Sequence, residues 1–371
     1  MTTTTETVGA ARNKGGLEGV IAAETRLSHV DGERGELILA GHRVEALGGQ
    51  HALEEVVELF RTGALPTAAR AAEIRDLLGE ARLRAFAAID PRDPALRYAD
   101  GMDALRALVA RFVVDPARDV ALDLVAGVAV AAAAWQRTRS GGALVPPDAR
   151  LGHAADVLRM ATGTAPSAPA AAALDRYLVT VVDHGMNAST FTARVVASTG
   201  SDDVSAVVAA IGALKGPLHG GAPGPVLDML DAVGAPERAT SWIEAELAAG
   251  RRIMGMGHRI YRVRDPRAAV LEAGIEELER AGLAKGKLAL ARAVEREAER
   301  LLGARHADRA LRANVEFYTA VILDAVGIDR AAFTPTFAVG RVVGWCAHID
   351  EQRRTGRLIR PASRYVGPMP T

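Results

Sequence analysis

Apolar residues recur at three- and four-residue intervals along nearly the whole chain, the period of a helix with one buried face. HALEEVVELFRTG carries this pattern and stops at Gly63, and TAARAAEIRDLLGEAR resumes it after Pro66 with Thr67 placed to cap it. MDALRALVARFV, RDVALDLVAGVAVAAAAWQRTR, DARLGHAADVLRMATG and AAAALDRYLVTVVDHG continue it, separated by Gly, Pro, Ser or Asp. STFTARVVASTG, DVSAVVAAIGALKG, GPVLDMLDAVG, ATSWIEAELAAG, DPRAAVLEAGIEELERAG, KLALARAVEREAERLLGARH, ANVEFYTAVILDA and TPTFAVGRVVGWCAHIDEQRR complete the series. One stretch differs: LSHVDGERGELILAGHRVEAL has turn signals at Asp31-Gly32 and Arg34-Gly35 between short alternating segments, which predicts a single small hairpin. The predicted class is all-α with a small N-terminal β-hairpin region.

At 371 residues and 49% hydrophobic, the chain can bury a large core and is long enough for two or three domains. Basic and acidic residues balance at 45 each, so nothing in the overall charge points to nucleic acid or an anionic membrane. Anion recognition, if present, must be local. Lysine occurs only at Lys14, Lys215, Lys285 and Lys287, so the positive charge is almost all arginine. The single cysteine, Cys346, excludes an intrachain disulfide framework, fits a reduced compartment, and reads as core. The first 16 residues have no apolar signal segment and read as a flexible tail, and the run LVAGVAVAAAAW is too short to span a bilayer, so a cytoplasmic location is expected.

Four polar segments do not follow from helix packing. VVDHGMNAST places His184 and Asn187 at the end of one helical pattern, with Ser189 able to cap the next; His184 fits either a ligand contact or a helix C-terminus. LKGPLHGGAPGP sets His219 among Gly216, Gly220, Gly221 and Gly224, which would let a ligand approach the backbone. RRIMGMGHRIYRVRDPR follows Gly255 and Gly257 with His258, Arg259, Arg262, Arg264 and Arg267, donors suited to carboxylate or phosphate, although a solvated basic turn before a helix has the same composition. GRVVGWCAHIDEQRRTGRLIRPASRYVGP buries Arg341 in an apolar helix, where it needs an anionic partner, and places Arg360 before a Pro-containing tail. Glu316, between Val315 and Phe317, is either a solvated side chain or a carboxylate held in a cleft to move a proton. Spacings for a metal site, a dinucleotide fingerprint or a P-loop are missing.

In order, GLEGVIAAETRLSHVDGERGELILAGHRVEAL, DHGMNASTFTARVVASTGSD, GALKGPLHGGAPGPV, MGMGHRIYRVRDPR, NVEFYTAVILDAVGI, FAVGRVVGWCAHIDEQ and RLIRPASRYVGP closely resemble the citrate synthase family. The resemblance covers nearly all of the chain after the tail. It implies a mostly helical homodimer, with residues 17–218 and 323–371 forming a large domain, residues 219–322 a small one, and the active site in the cleft between them. It also implies condensation of an acyl-CoA, commonly acetyl-CoA, with oxaloacetate, followed by hydrolysis of the citryl thioester at the entry to the tricarboxylic acid cycle. The acyl-CoA is a substrate, and no cofactor or metal is implied.

That chemistry needs a base for the weakly acidic methyl beside the thioester, a donor to the thioester oxygen, a donor to the ketone, and clamps for two carboxylates. By resemblance, His219 stabilises the enol or enolate, His258 polarises the ketone, and His184 binds oxaloacetate. Arg267 and Arg341 match carboxylate-binding arginines, Arg360 matches one contributed across the dimer, and Arg262 lies near the CoA phosphates, with Arg259 and Lys287 as further candidates. Glu316 occupies the position of the family's catalytic aspartate; its extra methylene moves the carboxylate by roughly an ångström, a displacement that can cost on the order of 10²-fold in rate. A second departure is AGHRV at residues 40–44, where many relatives have an RGY-type sequence. Two alternatives accompany this reading: a 2-methylcitrate synthase using propionyl-CoA, and a catalytically weakened paralogue in which Glu316 replaces the usual aspartate.

Overall fold

The computed structural model describes residues 17, 19–113, 115–220, 223–258, 260–306 and 311–370; the expected tail, residues 1–16, lies outside them. Three short antiparallel strands come first: β1 Ser28–Asp31, β2 Glu36–Leu39 and β3 His42–Arg43, in the order β1-β2-β3. The predicted hairpin is β1–β2, with Ser28 opposite Leu39 and Asp31 opposite Glu36, and the Asp31 carboxylate accepts the Glu33 and Arg34 N–H groups in the turn. The third strand was not predicted. It follows a two-residue turn in which Ala40 (φ 45°) and Gly41 (φ 89°) are both left-handed, a geometry that an alanine does not signal.

Among the described residues fifteen α-helices follow. They are α1 Val44–Leu47, α2 Leu53–Thr62, α3 Ala68–Ala87, α4 Gly101–Val109, α5 Val120–Arg139, α6 His153–Thr162, α7 Ala168–Thr180 and α8 Ala188–Ala197, then α9 Asp203–Leu214, α10 Pro223–Val233, α11 Ala239–Ala248, α12 Pro266–Arg280, α13 Lys287–Arg305, α14 Val315–Ala325 and α15 Phe333–Thr355. Local chemistry sets many of their ends: Thr67 Oγ1 accepts the Arg70 N–H at the start of α3, and Gly63 (φ 82°) closes α2. Helix α5 runs 20 residues, longer than its apolar run, and by length and composition could cross a bilayer. Here it is buried from Leu124 through Gln136 and packs against α3, α4, α6 and α15, which makes it a core helix.

Two packing arrangements place the later chemistry. Helix α15, buried along most of its length, lies against α5, α7, α8 and α9, and Gly340 and Gly344 let its backbone approach the end of α7. A Cβ at Gly344 would lie 2.3 Å from the Val182 carbonyl oxygen, and one at Gly340 would lie 2.9 Å from that of Leu178. Helices α12 and α14 pack on each other and on α7, while α10 meets α14 and α11 meets α13. The β1–β2 turn braces the segment before α12: the Arg262 N–H donates to the Gly32 carbonyl (2.9 Å), and a Cβ at Gly32 would lie 2.3 Å from the Ile260 carbonyl oxygen. Of the two expected domain boundaries, 218/219 falls between α9 and α10, whereas 322/323 falls within the continuous helix α14. Cys346 is unpaired and buried in the core.

Because the atom facing Gly344 is backbone and cannot swing away, Gly344→Ala is expected to destabilise the protein by about 3 kcal/mol. A denaturant midpoint unchanged from wild type would contradict this close approach.

Candidate active site

A cleft of about 780 Å³ is lined by His184, His219, His258, Arg267, Glu316 and Arg341, together with Asn187, Asn314 and Phe337. Six residues spread over more than 150 positions of sequence are thus brought to one cavity by five segments.

The first segment is the turn after α7. His184 is nearly enclosed, and its Nε2 lies 3.1 Å from the Tyr261 hydroxyl. Burial, with Arg267 and His258 adding to it, holds its imidazole well below the usual histidine pKa, so the ring is neutral. Helix α7 ends before this residue, at Thr180, so His184 is not a helix-terminal cation. The cap of α8 also differs from expectation. Asn187, not Ser189, is the cap: its Oδ1 accepts the Ser189 and Thr190 N–H groups (both 3.1 Å), and its backbone is extended as a cap requires. Ser189, already in the first turn, instead contacts the second histidine.

His219 Nε2 lies 2.9 Å from Ser189 Oγ and receives the Ser189 backbone N–H (3.3 Å), while Trp345 Nε1 donates to Ser189 Oγ (3.1 Å). A nitrogen that accepts a backbone N–H carries no proton. The neutral ring is therefore protonated on Nδ1, which can donate to a ligand. Burial, with Arg341 adding to it, brings its pKa down to about 4. Of the glycines around it, Gly220 is required by packing: a Cβ there would lie 2.4 Å from the Leu214 carbonyl oxygen. Gly221 lies outside the described residues.

His258 is oriented in the opposite sense. Its Nδ1 accepts the backbone N–H groups of Ile260 (3.0 Å) and Tyr261 (3.1 Å), so its proton lies on Nε2. Burial, reinforced by Arg267, brings it to about 4. The rings of His184 and His258 meet edge to face, with centroids 5.6 Å apart. The segment before His258 is stitched to the entrance of α14. Gly257 N–H donates to the Arg312 carbonyl (2.7 Å), Asn314 N–H to that of Gly255 (3.0 Å), and Asn314 Nδ2 to that of Gly257 (3.0 Å), around an antiparallel bridge between Met256 and Ala313. Gly255 has φ 72°, and a Cβ on it would lie 2.9 Å from the Phe317 ring, so glycine both forms the turn and admits the helix. The result places Glu316, in the first turn of α14, in the same cleft as His258. Glu316 is partly exposed, on the cleft, and its pKa is raised: burial drives it up, and Arg267 opposes.

The basic stretch divides into three roles. Arg262 is exposed, does not line the cleft, and lies 3.9 Å from Glu33. Arg264 pairs with Glu295 (2.8 Å) and Glu272 (2.8 Å) and lies over the Tyr318 ring, a structural brace. Arg267, buried at the start of α12, is held by both oxygens of the capping residue Asp265 (3.0 and 2.7 Å). Burial acts to lower its pKa, but Asp265 outweighs this and keeps it charged. Arg259 lies outside the described residues, and Lys287 pairs with Asp324 away from the cleft.

Arg341 donates from Nε to the Val181 carbonyl (2.7 Å) and lies over the Phe337 ring. Among the described residues it forms no ion pair, so the anionic partner that its burial calls for is not a protein carboxylate in direct contact. Burial brings it down to about 10, with Asp183 opposing and Arg267 contributing to the decrease. Two buried guanidinium groups and three neutral, proton-donating or accepting imidazoles suit a small molecule bearing carboxylates and a carbonyl. Arg360 is exposed on the segment after α15 and is not brought to this chain's own cleft. Tyr261, Asn314, Trp345 and Asp183 were not singled out from sequence; they act through contacts with distant residues that leave no local pattern.

A family model described as citrate synthase, C-terminal domain, matches residues 16–362. The citrate synthase of Haloferax volcanii is 40% identical over 369 residues, spanning 95% of this chain and 96% of that protein. Among solved structures, citrate synthase from Pyrobaculum aerophilum superposes with a TM-score of 0.84 at 35% identity, covering 96% of this chain and 92% of that one. Citrate synthase from Thermoplasma acidophilum, in a ternary complex with carboxymethyl coenzyme A and oxaloacetate, gives a TM-score of 0.80 at 28% identity, covering 95% of this chain and 96% of that one.

The depressed histidines make stability sensitive to acid. Between a folded value of about 4 and an unfolded value of 6.5, His219 and His258 bind fewer protons folded than unfolded. Their stability contribution is therefore whole above pH 6.5 and is lost as pH falls toward 4, while the raised Glu316 carboxyl acts in the opposite direction. Thermal midpoints from pH 7.5 to 4 should fall more steeply in the wild type than in His258→Gln; parallel curves would contradict the assignment.

Proposed function

The chain belongs to the citrate synthase family, and from that premise we propose that it condenses acetyl-CoA with oxaloacetate and hydrolyses the citryl thioester to citrate and CoA. The observation that carries this reading is the meeting of Glu316, His219, His258, Arg267 and Arg341 in one cleft. The Glu316 carboxylate takes a proton from the thioester methyl, and its raised pKa makes it a stronger base. His219 donates from Nδ1 to the thioester oxygen as charge develops there. His258 donates from Nε2 to the ketone of oxaloacetate, while Arg267, Arg341 and His184 hold its carboxylates so that the enol carbon faces the carbonyl carbon. Both donors are neutral at pH 7, so each gives a hydrogen bond without losing its own proton to solvent.

Arg360 completes the site of a second copy in this reading, within a homodimer. Its segment is exposed and carries Leu358, Tyr365 and Val366 with 57%, 67% and 88% of their surfaces open, apolar area that a partner subunit would cover. Arg262, exposed two residues beyond the cleft-lining Ile260, meets the CoA phosphates in this reading. Residues 219–322 act as the small domain that closes on bound substrates. A reduced, buried Cys346 supports a cytoplasmic enzyme at the entry to the tricarboxylic acid cycle.

The hydrogen bonds that tie Arg312 and Asn314 to Gly255 and Gly257 oppose withdrawal of α14, so in this reading the additional methylene of Glu316 is taken up by the side chain within the cleft. Purified protein should release CoA from acetyl-CoA only when oxaloacetate is present, with a higher kcat/KM for acetyl-CoA than for propionyl-CoA. No release with either substrate would end the condensation reading, and a preference for propionyl-CoA would replace it with the 2-methylcitrate reaction. Glu316→Gln should lower kcat by about 10²- to 10⁴-fold. Glu316→Asp should change it modestly or lower it; a gain of several orders of magnitude from a near-zero baseline would identify a weakened paralogue.

A further inference from the structure

Helix α15 presents Arg341, Trp345, His348 and Gln352 at spacings of four, three and four, a single stripe on one face. Arg341 and Trp345 reach the cleft directly or through Ser189. His348 does not line the cleft, yet it is fully buried in an unbroken row of charged groups. Its Nδ1 lies 3.0 Å from Arg194 Nη1, which can only donate, so the ring proton lies on Nε2 and is given to Asp183 Oδ2 (3.1 Å). Arg194 is held in turn by Glu351 (2.6 Å) and Gln352 (3.0 Å). On the other side, Ser28 Oγ in β1 donates to the same Asp183 oxygen and accepts the Gly185 N–H (2.9 Å). The turn Asp183–Gly185 is thus tied from both ends, and His184 is its middle residue.

We infer that His348 is a positioning residue for the oxaloacetate half of the site, acting through Asp183 on His184 and Arg341. Packing alone would not require it, because apolar side chains of similar volume fill such a space with no desolvation cost. The row does two things that an apolar filling cannot. It fixes the turn that carries His184, and it holds the Asp183 carboxylate where its charge opposes the depression of the Arg341 pKa. Asp183 itself remains below the ordinary carboxylate range: burial would raise it, but the facing His348 and Arg341, with the Ser28 hydroxyl, outweigh that. The inference rests on reading the cleft as an oxaloacetate site.

His348→Leu removes both hydrogen bonds, whereas His348→Gln keeps one donor and one acceptor on a side chain of similar reach. Oxaloacetate affinity, measured by ligand titration in the absence of acyl-CoA, and KM for each substrate should be determined for the full-length enzyme. We expect His348→Leu to weaken oxaloacetate binding by about tenfold or more, as for a lost hydrogen bond to a charged group, with KM for acetyl-CoA within about twofold of wild type. His348→Gln should recover most of the loss. If the leucine variant does not fold, Ser28→Ala, which removes the opposite tether, should give a smaller shift of about threefold, again confined to oxaloacetate. Oxaloacetate affinity unchanged in these variants, or losses shared equally between the two substrates, would overturn the inference. Wild-type protein that binds oxaloacetate but does not turn over would refute the condensation reading and leave this test intact; wild-type protein that binds none would refute both.

Discussion

Two guanidinium groups, Arg267 and Arg341, are buried close enough for the charge of the first to lower the pKa of the second, and the site is organised around the cost of keeping them there. Asp265 pairs with the first directly, and Asp183 acts on the second without touching it. The same positive field, added to burial, keeps His184, His219 and His258 neutral, and it opposes the upward drift of Glu316. Burial first and this positive field second therefore act on every histidine in the cleft and on Glu316. Neutral imidazoles next to buried cations are the state in which histidine serves as a hydrogen-bond donor to a developing oxyanion.

Backbone contacts supply the precision that this electrostatic arrangement needs. Gly340 and Gly344 bring α15 onto the end of α7, Gly255 brings the turn before His258 onto α14, and Gly32 brings the hairpin onto the segment after it. At Gly340, Gly344 and Gly32 the approach is to a backbone carbonyl, which cannot repack, and at Gly255 it is to the Phe317 ring. The tautomers of His219 and His258 also depend on backbone N–H groups, so the directions of the two ring protons are part of the chain path.

Much of this was legible in the sequence, for physical reasons that differ from residue to residue. Helix periodicity and punctuation are local, so the all-α class and Gly63 and Thr67 as helix ends could be read directly. The third strand escaped because Ala40 adopts a left-handed conformation that its residue type does not advertise. Serine caps well, which points to Ser189, but Asn187, two residues earlier, is equally suited and starts the helix by accepting the N–H groups of Ser189 and Thr190. Arg262, Arg264 and Arg267 are indistinguishable as letters; only burial and the partners Glu272, Glu295 and Asp265 separate them. The pairing of His348 with Asp183 spans 165 residues, and no spacing rule reaches that far.

The stitching of residues 255–257 to residues 312–314 has a kinetic meaning. His258 and Glu316 are joined into one rigid piece, whereas His219, through Ser189 and Trp345, and Arg341 belong to the piece built on α8 and α15. With Glu316 as the proposed base and His219 as the proposed oxygen donor, proton removal from the thioester methyl would draw on a group from each piece at once. On the proposed roles the molecule is a coincidence detector: displacing one piece against the other would separate base from oxygen donor and so disfavour forming an enolate while the cleft is open to water.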